Sequence, residues 1–253
     1  MRGMICAGIA AALLCAALCA GCSGERREAT VKLALQPEPS TLDPAFAVDY
    51  SSGKLASLIH ASLVAFDPDA RIVPDLARAW EVREGGREYV FRLGRASFSN
   101  GRRVAASDVV YSFRRLLDPA TVSPRWWLLK PLRGAPAFHG GGRWRDDAVE
   151  ALDDSTVAIR LDRPVAHFLG LLAMPAAGIV CREEVERLGP GYGRSPCGSG
   201  PWKLAAWSEG DEITLVPHSG YPGRRTALAG LSFRILPEQM TQIAEFEVGG
   251  LDV

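Results

Sequence analysis

The sequence predicts a mixed α/β or α+β fold, and three observations support that class. Apolar and polar residues alternate over 89–93 and 157–161, which is the pattern of half-buried strands. Val110 and Phe113 lie at helical spacing behind Ser107, which could cap a helix. Hydrophobic residues make up 47% of the chain and charged residues 23%, as in soluble globular proteins. Neither a helical bundle nor a pure β-sandwich would mix the two patterns in this way.

The remaining elements are expected on both sides of this central part. Ser51 or Ser52 could cap a helix that carries Leu55, Leu58, Ile59 and the pair at 62–63. The other expected elements are strands at 31–35, 202–204, 213–216 and 231–235, and a helix at about 238–247.

Two short segments carry expectations of their own. Leu76, Ala77 and Trp80 lie at helical spacing and are expected in the core. Gly198 and Gly200 are expected to adopt backbone angles that other residues avoid.

Charge and motif content argue against several classes of function. Lys plus Arg and Asp plus Glu number 29 each, so no basic excess indicates a nucleic-acid partner. The sequence has no Gly-x-Ser-x-Gly element and no suggestive Cys–His pairing, and the adjacent Asp153 and Asp154 on a strand edge would point apart. We therefore expect neither an enzyme nor a cofactor.

The histidines give no metal site. They show no ligand spacing, and no cysteine of the body belongs to a Cys-x-x-Cys pair. The four are His60, His139, His167 and His218.

The N-terminus has the pattern of an export signal. Arg2 precedes an uncharged run over 5–20, which is shorter than the ~20 residues of a membrane-spanning helix. Two small residues then precede Cys22, which resembles a lipobox with a lipid-bearing cysteine, although Cys19 stands where Leu is preferred. The alternative is an ordinary cleaved signal. Because Ser23 is not Asp, the resemblance favours the outer membrane if the source is Gram-negative.

Two cysteines remain in the body of the chain. Cys181 and Cys197 lie sixteen residues apart, and an exported protein meets an oxidising compartment. They could form a disulfide, or they could be two buried unpaired thiols.

From about Val31 to Val253 the chain resembles the family 5 extracellular solute-binding proteins, which include the oligopeptide and dipeptide binders. The resemblance depends on six blocks in the family's order. They are Pro-Ser-Thr-Leu-Asp-Pro at 39–44, Val-Pro-Asp-Leu-Ala-Arg-Ala-Trp at 73–80, Phe-Ser-Asn-Gly at 98–101 with 106–113, Leu-Asp-Pro-Ala-Thr-Val-Ser-Pro at 117–124, 149–157, and Gly-Ser-Gly-Pro-Trp at 198–202.

The resemblance implies a lobe like that of type II periplasmic binding proteins, with a smaller α+β domain inserted into it. Family members are about twice as long, so the chain would correspond to the N-terminal half, with the C-terminal lobe missing. The implied parts are a lipoprotein signal peptide at 1–22, the first part of lobe I at 23–65, the inserted domain II at 66–175 and the truncated continuation of lobe I at 176–253.

The resemblance also implies a set of ligand-binding residues. Arg125 could meet a peptide carboxylate, and we expect one of the neighbouring tryptophans, Trp126 rather than Trp127, to face the cleft. The loop that would face an extended peptide consists of Val48, Asp49 and Tyr50.

These features together predict the substrate-binding component of an ABC importer that captures oligopeptides in the cell envelope. Its partners would be the peptide, the permease subunits and the membrane, through the lipid on Cys22. The full-length protein would be a monomer that faces the periplasm or the extracellular side of the membrane. The alternatives are a binder of dipeptide, nickel or haem, and a truncated envelope lipoprotein that binds nothing.

Overall fold

The computed structural model describes residues 29–223 and 226–253. The expected signal peptide and its Cys22 lie outside the described residues. The strands are β1 (Thr30–Leu35), β2 (Val64–Phe66), β3 (Ile72–Pro74), β4 (Ala77–Arg83), β5 (Glu88–Leu93), β6 (Val149–Asp153), β7 (Thr156–Arg160), β8 (Trp202–Ser208), β9 (Glu212–Pro217) and β10 (Gly230–Ile235). The α-helices are α1 (Tyr50–Ile59), α2 (Ala106–Leu117), α3 (Ala135–His139), α4 (Phe168–Leu172), α5 (Arg182–Leu188) and α6 (Gln239–Glu247). None of the helices in this described part is long and apolar enough to span a membrane.

One sheet is assembled from the two ends of the described chain, and we call it the split sheet. Its strand order is β1-β10-β9-β8. β1 and β10 pair in parallel, with Leu33 opposite Phe233, and the other two pairs are antiparallel. Its core is formed with helix α1 and includes Leu55, Ile59 and Ile213. The split sheet therefore depends on contacts between distant parts of the sequence.

The second large sheet uses strands that lie near one another in the chain, and we call it the contiguous sheet. Its order is β4-β5-β7-β6, and every pair is antiparallel. Helix α2 packs against it, and its core includes the fully buried Phe91, Phe98 and Phe113. The same core also takes in Leu63 and Tyr192, which lie beyond the expected limits of the inserted domain. The boundaries at 65/66 and 175/176 therefore stay a prediction.

The two cores meet along a junction that is held by a buried ion pair. Arg115 of α2 donates from both terminal nitrogens to Asp43, at 2.9 and 2.6 Å. The side chains are only 14% and 4% exposed, so both charges are largely removed from water. Loss of one partner would leave an uncompensated buried charge, and the pair therefore fixes the position of α2 relative to the segment before α1.

Two local expectations differ from the structure. Leu76 and Ala77 are buried as expected, but 77–83 is strand β4 and not a helix, since Gly85 and Gly86 turn the chain into β5 with φ of 60° and 90°. Helix α2 begins after Ala105 instead of Ser107, because the Asp108 carboxylate accepts from the Ala105 amide at 2.9 Å.

The glycines of the Gly-Ser-Gly segment are needed for space instead of backbone angle. Neither Gly198 nor Gly200 has a positive φ. A Cβ on Gly198 would lie 1.9 Å from the Ile59 carbonyl oxygen, and one on Gly200 would lie 2.6 Å from the Leu58 carbonyl oxygen. The Gly200 amide donates to that Ile59 oxygen at 2.8 Å. This segment therefore closes on the C-terminal end of α1, where no side chain fits.

Candidate functional site

A cavity of about 430 Å³ opens beside the N-terminal end of α1. Four of the five residues expected to contact ligand line it, namely Val48, Asp49, Tyr50 and Arg125. The rest of its wall consists of Ala47, Gly53, Lys54, Ser57, Trp127, Leu128, Met174, Pro175 and Ala176. The structure thus brings together three segments that are far apart in the sequence.

Asp49 caps helix α1 and shapes the loop before it. One carboxylate oxygen accepts from the Ser52 amide at 2.7 Å. The other accepts from the Ser52 hydroxyl at 2.6 Å and from the Ser40 hydroxyl at 2.8 Å. Partial burial alone would raise the pKa of Asp49, but these hydrogen bonds outweigh it and lower the pKa. The carboxylate is therefore occupied by hydrogen bonds within the protein. It caps α1, a role that was expected of Ser51 or Ser52.

The residues on either side of Asp49 are free to contact another molecule. Tyr50 is 75% exposed and Val48 is 51% exposed, although both are large and mainly apolar. A fixed loop that presents an aromatic ring and an aliphatic side chain offers contact area at little cost in conformational entropy. The arrangement suits a ligand with varied side chains.

Arg125 ties the loop to the segment that carries the tryptophans. Its guanidinium donates to the Val48 carbonyl oxygen at 2.8 Å and to the Ala47 carbonyl oxygen at 3.4 Å. Within the described ranges, no carboxylate lies within 4.0 Å of Arg125 or of Lys54. The wall therefore carries two cations without a carboxylate partner beside one committed carboxylate, which favours an anionic group on a ligand.

The structure places the two tryptophans differently from our expectation. The Trp126 ring stacks on His139 with 3.9 Å between ring centroids and 13° between planes, and it packs against the core of the contiguous sheet. Trp127 is 45% exposed and lines the cavity. Successive residues of the short 3₁₀ helix at Trp126–Leu129 point in different directions, so only one ring can face outward. Trp127, and not Trp126, is therefore the candidate for contact with a ligand.

Part of this wall was not predicted from the sequence. Lys54 lies one helical turn beyond Tyr50 on the exposed face of α1, so the helical period could have found it. Met174 and Pro175 come from a 3₁₀ segment whose approach is set by tertiary packing, and no local signal marks them.

A larger cavity of about 830 Å³ lies elsewhere, between α2, β6 and α5. It contains none of the five expected ligand residues. Several of its charged groups are already paired, as in Arg182 with Glu186 at 2.8 Å and Glu150 with Arg160 at 2.8 Å. Its size therefore does not outweigh the exposed aromatic rings of the smaller cavity and its two cations without a carboxylate partner, and we take the smaller cavity as the candidate ligand site.

The two body cysteines do not line this cavity. Cys181 and Cys197 are both buried free thiols. Among the residues that the structure describes, no three side chains of His, Cys, Asp or Glu converge as a metal site would require.

The split sheet with its inserted antiparallel sheet is the lobe of a type II periplasmic binding protein. The profile of the bacterial extracellular solute-binding proteins, family 5 middle, matches residues 71–253. The chain belongs to this family, whose members are extracellular or periplasmic binding proteins.

Individual relatives support the same assignment. The chain is 28% identical over 221 residues to the dipeptide-binding protein DppE of Bacillus subtilis, covering 85% of this chain and 40% of that protein. It is 28% identical over 250 residues to the glutathione-binding protein GsiB of Escherichia coli K12, covering 98% of this chain and 44% of that protein. The chain thus spans about two fifths of the length of these curated relatives.

The fold of this chain also agrees with the folds of solved binding proteins. The oligopeptide-binding protein OppA of Haemophilus influenzae, in complex with RPPGFSPFR, superposes with a TM-score of 0.84 at 26% identity. The open, unliganded murein tripeptide-binding protein MppA superposes with a TM-score of 0.83 at 29% identity. These matches cover 89% and 90% of this chain and 45% of each solved chain.

Proposed function

We propose that the chain forms one wall of the ligand cleft in the substrate-binding component of an ABC importer for oligopeptides. The observation that carries the proposal is the cavity beside α1, where Tyr50 and Trp127 stand exposed next to Arg125 and Lys54. Aromatic faces accept varied side chains, and the two cations complement a peptide's carboxylate groups. The names of the relatives, which include dipeptide and oligopeptide binders, are consistent with this class of ligand.

The proposal extends to the setting of the protein in the cell envelope. We propose that Cys22 carries lipid and that the anchored protein delivers its ligand to permease subunits of the importer. An outer-membrane placement in a Gram-negative source rests on Ser23 following that cysteine. Incorporation of labelled palmitate into the chain but not into Cys22→Ala tests the anchor, and equal labelling of the two would contradict it.

Binding to a single wall should be weak. Binding proteins of this type close two lobes around the ligand, and closure removes most of the ligand surface from water. The chain spans about two fifths of its relatives, so it offers contacts on one side, while the peptide still loses translational and conformational freedom. We expect the chain to bind tri- to pentapeptides with a dissociation constant no tighter than about 1 mM.

A titration followed by NMR, which detects weak binding, tests this role. Tyr50→Ala and Trp127→Ala should each weaken binding by roughly 1–3 kcal/mol, which raises the dissociation constant about 5- to 150-fold. Val82→Ala is the matched control, because Val82 is also an exposed apolar residue, on β4, and does not line the cavity. Unchanged titrations for both cavity variants would show that the peptide does not contact this wall.

A further inference from the structure

Cys181 and Cys197 are brought together by the chain segment that joins the two cores. Cys181 immediately precedes α5, and Cys197 follows the 3₁₀ segment Gly189–Arg194. Both thiols contact one loop of the inserted part, the loop that contains Ser99 and Asn100. The Ser99 hydroxyl donates to the Cys197 sulfur at 3.5 Å, and the Asn100 amide donates to the Cys181 sulfur at 3.5 Å. Because adjacent residues of one loop hold the two sulfurs, the sulfurs lie near each other, as a disulfide requires.

The surroundings of the two thiols differ in a way that suits exchange chemistry. The pKa of the Cys197 thiol is lowered, first by the neighbouring Cys181 thiol and then by hydrogen bonds from Ser99 and Asn100, against the opposing effect of burial. The pKa of Cys181 is raised, chiefly by the adjacent Cys197 sulfur and by burial. The Cys181 thiol also donates to the Glu183 carboxylate at 3.3 Å. The Arg102 guanidinium donates to the Cys181 sulfur at 3.8 Å and opposes that rise. The two thiols therefore titrate as a pair, in which ionisation of Cys197 is favoured.

We propose that Cys181 and Cys197 form a redox-active dithiol site, which low-molecular-weight disulfides oxidise to an intramolecular disulfide. The Cys197 thiolate attacks one sulfur of the small disulfide, forms a mixed disulfide and releases one small thiolate. The Cys181 sulfur then attacks Cys197, breaks the mixed disulfide and expels the second small thiol, while the Cys181 proton passes to the released thiolate. Two protein thiols are oxidised, and one small disulfide is reduced to two small thiols.

The order of attack follows from exposure as well as from ionisation. Cys181 is 0% exposed and Cys197 is 6% exposed, so a reagent reaches Cys197 first. The family is extracellular, and oxidising compartments allow disulfides to persist. Neither cysteine lines the cavity beside α1, so the test of this site does not depend on whether the chain binds peptide.

Peptide mapping of the full chain tests the site, because each cysteine falls in its own tryptic peptide. Leu161–Arg182 contains Cys181, and Ser195–Lys203 contains Cys197. After incubation of the native protein with oxidised glutathione, we expect these two peptides to be recovered as one disulfide-linked species. Closing a loop of this size should also raise the Tm by several degrees, on the order of 5–10 °C.

Two variants separate the proposed roles. Cys181→Ser should accumulate the mixed disulfide with glutathione on peptide Ser195–Lys203, because its reactive thiol remains and its resolving thiol is lost. Cys197→Ser should leave peptide Leu161–Arg182 almost unmodified, at least about tenfold less than peptide Ser195–Lys203 in the first variant, because Cys181 is 0% exposed.

The same buffer applied to the urea-unfolded chain shows that the exchange reaction works. Two free thiols in the native protein, with a linked pair only after unfolding, would overturn the proposal. Linkage of either peptide to a cysteine of residues 1–22 would also overturn it, since the pairing would then not be set by the fold.

Discussion

The two large sheets of this chain are built by different means. The contiguous sheet joins hairpins, with β4 paired to β5 and β6 paired to β7, so most of its pairing is local. The split sheet requires β1 and β10 to meet, which aligns Thr30 with Gly230 after the whole inserted part has been placed. Long-range pairing forms only after the entropy of loop closure has been overcome. We therefore expect the contiguous sheet to be stable without the split sheet, and the split sheet to depend on the contiguous one.

The cores show the same asymmetry. The core of the contiguous sheet gathers residues from the segments that lead into and out of it, such as Leu63 and Tyr192. The core of the split sheet is confined to that sheet, α1 and their immediate neighbours, with Phe233 at its centre. We expect the split sheet to open first and the contiguous sheet to open only with global unfolding.

Truncation of one buried phenylalanine in each core is the strongest way to break this comparison. Phe91 and Phe233 are 0% and 1% exposed, so Phe91→Ala and Phe233→Ala should each destabilise the protein by about 3–5 kcal/mol. The two variants should differ in which sheets lose protection against hydrogen exchange. Hydrogen exchange followed by mass spectrometry should show lost protection in both sheets for Phe91→Ala, but in the split sheet alone for Phe233→Ala. The same exchange pattern in both variants would remove the distinction.

The junction between the cores gives the next largest effect. Gly198→Ala would place a methyl group 1.9 Å from the Ile59 carbonyl oxygen, so the backbone must move, at a cost of about 3 kcal/mol. Gly191→Ala is the matched control, because a Cβ on Gly191 would have no atom within 4 Å. Urea denaturation measures both variants. A Gly198→Ala protein as stable as the control would mean that the two cores can separate here without penalty.

The periodic parts of the fold could be predicted from the sequence, and the parts set by turns or tertiary contacts could not. Alternation indicated β5, β7 and β10, because one face of each strand meets a core and the other does not. Strand β4 was missed because its few buried residues also fit a helical spacing. The turn at Gly85 and Gly86 makes this segment a strand, because it joins β4 to β5 in a hairpin. The turn lies outside 77–83, so the periodicity within that segment does not show it.

The candidate site was predictable to a similar degree. Resemblance to a family located the loop at Tyr50 and the segment at Arg125, because both follow recognisable blocks. It did not distinguish Trp126 from Trp127, since that choice depends on the direction of a 3₁₀ turn and on a histidine thirteen residues away, His139. The use of Asp49 as a helix cap was hidden for the same reason: a carboxylate in a ligand loop and a cap look alike until its partners are known.

His60 offers the smallest and most specific test of how the two cores are joined. It is 2% exposed, it ends α1, and its Nε2 hydrogen-bonds the Leu42 carbonyl oxygen at 3.1 Å, while its ring lies 6.0 Å from that of Tyr192. Its Nδ1 is buried and has no partner in the described structure. Burial lowers the pKa of His60 to about 4, although the nearby Asp43 opposes the shift. The imidazole is therefore neutral at pH 7.

The sign of the pH effect follows from this lowered pKa. The unfolded chain takes up a proton on this histidine below about pH 6.5, while the folded chain resists until about pH 4. The contribution to stability is fully present above pH 6.5 and is lost as the pH falls through that window, by about 2 kcal/mol between pH 7 and pH 5. His60→Gln keeps a donor for Leu42 but cannot take up the proton, so its urea stability should fall less over this range. His167→Gln, at an exposed histidine, should follow the wild-type curve. If His60→Gln also follows the wild-type curve, His60 does not titrate on unfolding, and the junction is more open to water than its burial implies.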